Sequence, residues 1–258
     1  MLIHTGRFSA LRRRKERSMK RLSGILLMIL LAALLGMGVM AFTTADTENT
    51  APPASDTEPR RELPEPVREA DWRLALVNAA NPLSEDFEPE TAEADGGYLF
   101  DIRAVESLRA LLQAGREAGL DLVITSGWRS WAYQEQLFEE KVERVMAETG
   151  LDRAGAEEIA AEEVARPGTS EHQLGLAVDI ISNAHPELDE DWAETEEAKW
   201  LKAHCAEYGF ILRYPPDKSE ITGITWEPWH FRYVGEEAAV YIMENNLCLE
   251  EYLAAPKA

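Results

Sequence analysis

Two histidines and two carboxylates stand at spacings that suit metal-assisted hydrolysis. His172 lies in "SEHQLG", and Asp179 follows it alone in the apolar run "LAVDII". A buried carboxylate is costly unless something positive meets it, whether an arginine, a hydrogen-bond network or a metal. Further along, "WEPWHFRYV" places Glu227 just before His230 with Pro228 between them, and proline bends the chain there. A catalytic zinc takes three ligands from His and Asp/Glu and keeps one position for water. His172, Asp179 and His230 make such a set. Hydrolysis also needs a carboxylate beside the metal but not on it, to take the proton from water, and the bend offers Glu227 for that role. On spacing alone, a salt-bridged Asp179 with two core histidines is the competing reading. The other histidines carry less: His4 is near the N-terminus, His185 precedes Pro186 in a polar loop, and His204 follows Trp200 and Leu201 on an expected helix.

These groups need elements to position them. The run 176–182 reads as a buried strand, on which Ala177, Asp179 and Ile181 share a face and small Ala177 leaves room beside the carboxylate. Further strands are expected at "LVITS", "FILRY" and "HFRYVG". A helix is expected over 101–118, with Ile102, Val105, Leu108, Leu111 and Leu112 on one face. Others are expected over 131–148, 156–165, 194–208 (closed by Gly209) and 236–245. Helices and strands mix without strict alternation, and strands cluster late in the chain. The predicted class is therefore α+β rather than a doubly wound parallel sheet.

Charge divides the 258 residues, which carry 26 basic and 47 acidic side chains for a net −21. Residues 1–21 hold eight basic side chains against the single acid Glu16, so the remainder is more acidic than the total. Such a body lacks the basic footprint of a nucleic-acid binder. Residues 22–42 contain no charge and are long enough to span a bilayer as a helix. Basic residues before this stretch and acids after it (Asp46, Glu48, Asp56, Glu58) place the N-terminus in the cytoplasm and the body outside. The stretch is long for a signal peptide, so an uncleaved membrane anchor is the favoured reading; a cleavable signal starting at Met1 or Met19 is the alternative. Residues 43–70 are rich in Pro, Glu, Thr, Ser and Asp and read as a flexible linker to a folded domain over 71–258. Cys205 and Cys248 match no zinc motif and read as small buried residues.

Three separated segments, "SGWRSWAYQ" (126–134), "TSEHQLGLAVDI" (169–180) and "ITGITWEPWHFRYVG" (221–235), together resemble the zinc D-alanyl-D-alanine carboxypeptidases of the VanY type and related L,D-carboxypeptidases of peptidoglycan. Ser-x-His-x-x-Gly-x-Ala-x-Asp and Glu-x-Trp-His are complete, and "LVNAANPLSEDFEP" is similar to the family's opening, so the resemblance covers roughly 72–246. It implies a mixed, largely antiparallel sheet carrying a zinc site and flanked by helices. It also implies zinc on His172, Asp179 and His230, Glu227 as catalytic base, and Arg129 on the scissile carbonyl or substrate carboxylate. Ser126, Gln134 and Ser170 fall on substrate-contacting positions. The implied reaction removes the C-terminal D-alanine from peptidoglycan stem peptides. Related alternatives are an L,D-carboxypeptidase or an endopeptidase on the same stems, or a non-catalytic wall-binding module; the intact Glu227 speaks against the last. Trp128 departs from the family's more usual tyrosine, which bears on the shape of the pocket and not on the metal. Trp131, Tyr133, Trp226 and Trp229 are candidates for the pocket lining.

Overall fold

The computed structural model describes residues 71–255. The expected basic tail, apolar anchor and linker lie outside the described residues. Among the described residues no helix is long and apolar enough to cross a membrane.

Strands β3 (Val123–Ser126), β4 (Ala177–Ile181), β5 (Phe210–Leu212) and β6 (His230–Tyr233) form one sheet in the order β3-β4-β6-β5, every pair antiparallel. A separate hairpin pairs β1 (Thr91–Asp95) with β2 (Tyr98–Asp101). The α+β class read from the sequence is the observed one.

The period of two along these strands sorts their side chains. Ile124, Val178, Ile180, Phe210, Leu212 and Phe231 join the main apolar core. Helices α1 (Val105–Glu117) and α5 (Glu196–His204) close that core with Leu108, Leu111, Leu112 and Leu201. The alternate positions Asp179, His230 and Arg232 belong to the other face, at 2%, 4% and 0% exposure. The centre of the sheet is thus buried on both sides, apolar on one and charged on the other. Ile211 of β5 instead meets a second cluster with α7 (Glu236–Glu244) and α8 (Leu249–Ala254).

Between β3 and β4 the chain makes a helical hairpin, α2 (Trp131–Thr149) and α3 (Arg153–Ala161), with its own small core of Phe138, Val142, Val145, Ala156 and Ala160. Ser130 caps α2 by accepting from Tyr133 N at 3.2 Å. Two four-residue helices, α4 (Glu171–Leu174) and α6 (Ser219–Thr222), sit in the connections to β4 and β6.

Several expected boundaries move for identifiable reasons. Residues 101–104 form a turn in which Asp101 accepts from Arg103 N at 2.9 Å, so the first helix begins at Val105 and Ile102 is 49% exposed. The helix expected over 156–165 runs over 153–161 because Asp152 caps it, accepting from Gly155 N at 2.9 Å. The helix expected over 194–208 is two pieces, α5 capped by Thr195 and then a 3-10 turn closed by Gly209 at φ +82°, and a separate 3-10 turn ends at Glu194 before them. Cys205 and Cys248 are buried free thiols.

Candidate active site

Backbone register begins the assembly of the site. Asp179 stands opposite Ser126 on one flanking strand and opposite His230 on the other. One carboxylate is thereby set between a histidine and the segment that carries Arg129.

His172 arrives from α4. Gly175 closes that helix at φ +82°, and a Cβ there would stand 3.0 Å from the Pro89 ring, so this position favours glycine. The Arg129 backbone N–H donates to the His172 carbonyl at 3.2 Å, which ties the arginine segment to the same helix. Glu227 is fixed at the Pro228 bend. Its N–H donates to the Tyr214 carbonyl at 3.1 Å, and its own carbonyl accepts from His230 N at 3.2 Å.

The side chains converge. His172 Nε2 lies 3.2 Å from Asp179 Oδ2, and His230 Nδ1 lies 3.1 Å from Asp179 Oδ1 and 3.4 Å from Glu227 Oε2. One donor atom from each of His172, Asp179 and His230 falls within 4.8 Å of the others. The tautomer of His172 follows from its other nitrogen: Nδ1 is 2.8 Å from the Gly127 carbonyl, which can only accept, so Nδ1 carries the hydrogen. Burial and the Arg129 guanidinium hold the His172 pKa down at about 4, so the ring is neutral near pH 7. Its Nε2 lone pair therefore faces a carboxylate oxygen with no proton between them. Asp179 Oδ1 is likewise buried without a hydrogen-bond partner. Two acceptors turned towards each other at 3.2 Å, His172 Nε2 and Asp179 Oδ2, call for a cation beside them. A tetrahedral zinc with bonds of about 2.0–2.1 Å spaces its ligands by roughly 3.4 Å. The donor set and its spacing fit that ion.

Two shifts complete the electrostatics. Burial opposes ionisation of Asp179, but the His172 and His230 rings outweigh it and hold the carboxyl well below its usual range. Glu227 goes the other way: burial and the Asp179 carboxylate push it well above the usual value, against the pull of Arg129. Paired carboxylates with opposed shifts mark two different roles at one site.

Arg129 is one positive partner of Asp179, on its Oδ2. Its Nη2 donates to Asp179 Oδ2 at 2.9 Å, its Nε to Ser126 Oγ at 2.8 Å and its Nη1 to Gln134 Oε1 at 3.3 Å. The guanidinium keeps 16% exposure. Gln134 is fully buried, and its Nε2 donates to the Ala165 carbonyl at 2.7 Å, so its amide braces Arg129. Ser170 heads α4 without a side-chain capping bond. Of the aromatic candidates, Trp229 packs against the main core and Trp131 against the Gly168 backbone, whereas Tyr133 is 49% exposed.

Sequence reasoning missed three contributors. Tyr214 packs on His230 with ring centroids 4.8 Å apart. The Gly127 carbonyl sets the His172 tautomer. Glu171, completely buried, bears on Arg213, Arg232 and His230. The only signal for Glu171 was an acid beside a metal-type histidine with two arginines on nearby strand segments. His185 and His204 stay apart from the site, paired with Asp189 at 2.9 Å and Glu207 at 2.8 Å.

A histidine and an aspartate on adjacent antiparallel strands, a second histidine from a short helix, a further carboxylate beside them and an arginine fork at the rim define a mononuclear metallohydrolase site. Comparison with known proteins gives the family. Residues 98–236 match the model for VanY, D-alanyl-D-alanine carboxypeptidase. A D-alanyl-D-alanine carboxypeptidase of Enterococcus faecalis is 44% identical over 189 residues, 73% of this chain and 68% of that protein. A mutant of the vancomycin-resistance D,D-pentapeptidase VanY from a VanB-type cassette, solved with Zn(II), aligns at 43% identity with TM-score 0.64, covering 71% of this chain and 99% of that one. The LdcB LD-carboxypeptidase aligns at 37% identity with TM-score 0.61, covering 69% and 84%. The chain belongs to the VanY family of D-alanyl-D-alanine carboxypeptidases.

Proposed function

We propose that the protein is a zinc-dependent D,D-carboxypeptidase that removes the C-terminal D-alanine from peptidoglycan stem peptides. His172, His230 and the Asp179 carboxylate would hold the zinc, the histidines through Nε2 and Nδ1. The observation that carries this reading is the pair of proton-free acceptors, His172 Nε2 and Asp179 Oδ2, facing each other at 3.2 Å. Its likeness to the zinc-containing VanY structure supports the choice of metal.

When bound, zinc supplies a Lewis acid that polarises the scissile carbonyl and acidifies the attacking water. Glu227, 3.4 Å from His230 Nδ1 through its Oε2, takes the proton of that water and then passes it to the departing D-alanine amine. Arg129 offers a fork to the oxyanion that develops on the carbonyl, or to the substrate's terminal carboxylate. Ser126 and Gln134 hold that fork in place, and Ser126, Gln134 and Ser170 are the side chains proposed to contact the substrate. The body works outside the cytoplasm, tethered through residues 22–42, a reading supported by the charge step across that stretch.

The test is to incubate the zinc-loaded protein with defined penta- and tetrapeptide stems and identify the products by mass. Loss of one D-alanine from the pentapeptide is expected. Cleavage of the tetrapeptide alone would move the assignment to the L,D-bond, which the 37% identity to LdcB keeps in view. Cutting of a crosslinked stem in preference to a free end would indicate an endopeptidase. No cleavage by the zinc-loaded protein would leave a wall-binding module. Orientation is checked by protease added to spheroplasts, where the body should be digested along with a known exterior protein.

A further inference from the structure

Behind His230, on the side away from Asp179, lies a buried charge cluster that the proposed reaction does not use. Glu171 is 0% exposed. Its Oε1 accepts from Arg213 Nε at 2.8 Å and pairs with Arg232 Nη1 at 2.8 Å. Its Oε2 makes no hydrogen bond and stands 4.0 Å from His230 Nε2, which is also buried without a partner. Each arginine is anchored a second time. Arg213 donates through Nη1 and Nη2 to Glu250 of α8 at 2.9 and 2.6 Å. Arg232 Nη2 donates to the Arg73 and Ala75 carbonyls at 2.9 and 2.8 Å. Tyr214 lies between the two layers, packed on His230 at 4.8 Å and under the Arg213 guanidinium at 4.8 Å.

We infer that Glu171 is a positioning residue that sets the orientation and tautomer of His230, and that Arg213, Arg232 and Glu250 of the C-terminal helix hold it at that station. The inference rests on the assignment of His230 Nδ1 as a zinc donor. A neutral imidazole presents a lone pair on one nitrogen only, and Nδ1 can face the metal position only if the hydrogen sits on Nε2. A carboxylate oxygen facing Nε2 favours that arrangement, as acidic partners of metal-bound histidines commonly do. At 4.0 Å the contact is electrostatic rather than a hydrogen bond. With both arginines on Oε1, Oε2 is left facing the ring. Buried ion pairs are weak sources of stability compared with apolar packing, so stability alone does not account for four charges here. By this route α8, which follows the last metal ligand in the chain, helps to fix that ligand.

The test measures zinc dissociation constants by chelator competition and visible spectra of the cobalt-substituted protein for the parent, Glu171→Gln, Glu250→Gln and His230→Ala. Far-ultraviolet dichroism and metal-free melting establish which variants fold. Glu171→Gln is expected to weaken zinc by about 10–100-fold and to shift the cobalt bands. Glu250→Gln should do the same by a smaller factor. A folded Glu171→Gln with the parent's zinc affinity and cobalt spectrum overturns the inference. If Glu171→Gln does not fold, Glu250→Gln decides in the same way: weakened zinc supports the inference and parental values overturn it. His230→Ala separates the two levels. Zinc retained there defeats the ligand assignment itself, whereas zinc lost there but unchanged in Glu171→Gln defeats only the positioning role.

Discussion

The two faces of β4 and β6 are equally buried and chemically opposite. Val178, Ile180 and Phe231 on one face are 0% exposed and meet other apolar side chains. Asp179 and His230 on the other, at 2% and 4%, have buried polar atoms without partners, Oδ1 and Nε2. Burial without a partner is unfavourable for a polar atom and favourable for a methyl group. The same strands therefore hold an apolar face that closes on itself and a charged face whose aspartate and histidine stand at metal-ligand spacing. The apolar face keeps the polar one rigid; it does not take part in chemistry.

Substitutions on each face should separate stability from turnover. Glu227→Gln keeps shape and removes the proton acceptor, so turnover should fall by about 10²–10⁴-fold while zinc content and melting temperature stay near the parent's. Normal turnover would make Glu227 structural. Arg129→Ala should lower kcat/KM by about 10²–10³-fold, with kcat carrying more of the loss than KM if the fork serves the oxyanion. Parental efficiency on a free stem peptide would place the pocket elsewhere. On the opposite face, Phe231→Ala should cost about 3–5 kcal/mol of unfolding free energy by denaturant titration. Little loss would mean that the apolar face is not the support claimed for it.

The smallest effect concerns pH. The raised Glu227 pKa means that the folded protein binds this proton more tightly than the unfolded chain, so the stabilisation is present below the usual 4.5 and is lost as pH rises. The depressed His172 acts in the opposite sense, losing stability as pH falls from 6.5 towards about 4, but it is common to the parent and Glu227→Gln. With metal chelated, the stability difference between the two proteins should move in favour of Glu227→Gln as pH rises from about 4.5 towards neutrality. A difference independent of pH would show that Glu227 is not held protonated.

The candidate site was more legible than the fold around it. His172, Asp179, Glu227 and His230 were readable because chemistry needs particular side chains at particular spacings, and the apolar run around Asp179 fixed its strand. The β1–β2 hairpin was not read, since "TAEAD" has little β-branched or alternating character; its signal was Gly96-Gly97, both at positive φ as a two-residue turn requires. Helix α8 was too short for a periodic pattern, and its hold comes from tertiary contacts, Glu250 to Arg213 and Leu249 and Tyr252 to the second core. Arg213 and Arg232 both pair with Glu171, which in the sequence is indistinguishable from a helix-surface acid. Register and long-range pairing decide such roles, and neither is local in sequence.

A zinc site on the polar face is measurable as metal content. After exhaustive dialysis against metal-free buffer, the purified parent should retain one zinc per chain by elemental analysis. His172→Ala and His230→Ala, with parental dichroism, should retain almost none; near-stoichiometric zinc in either would contradict the assignment.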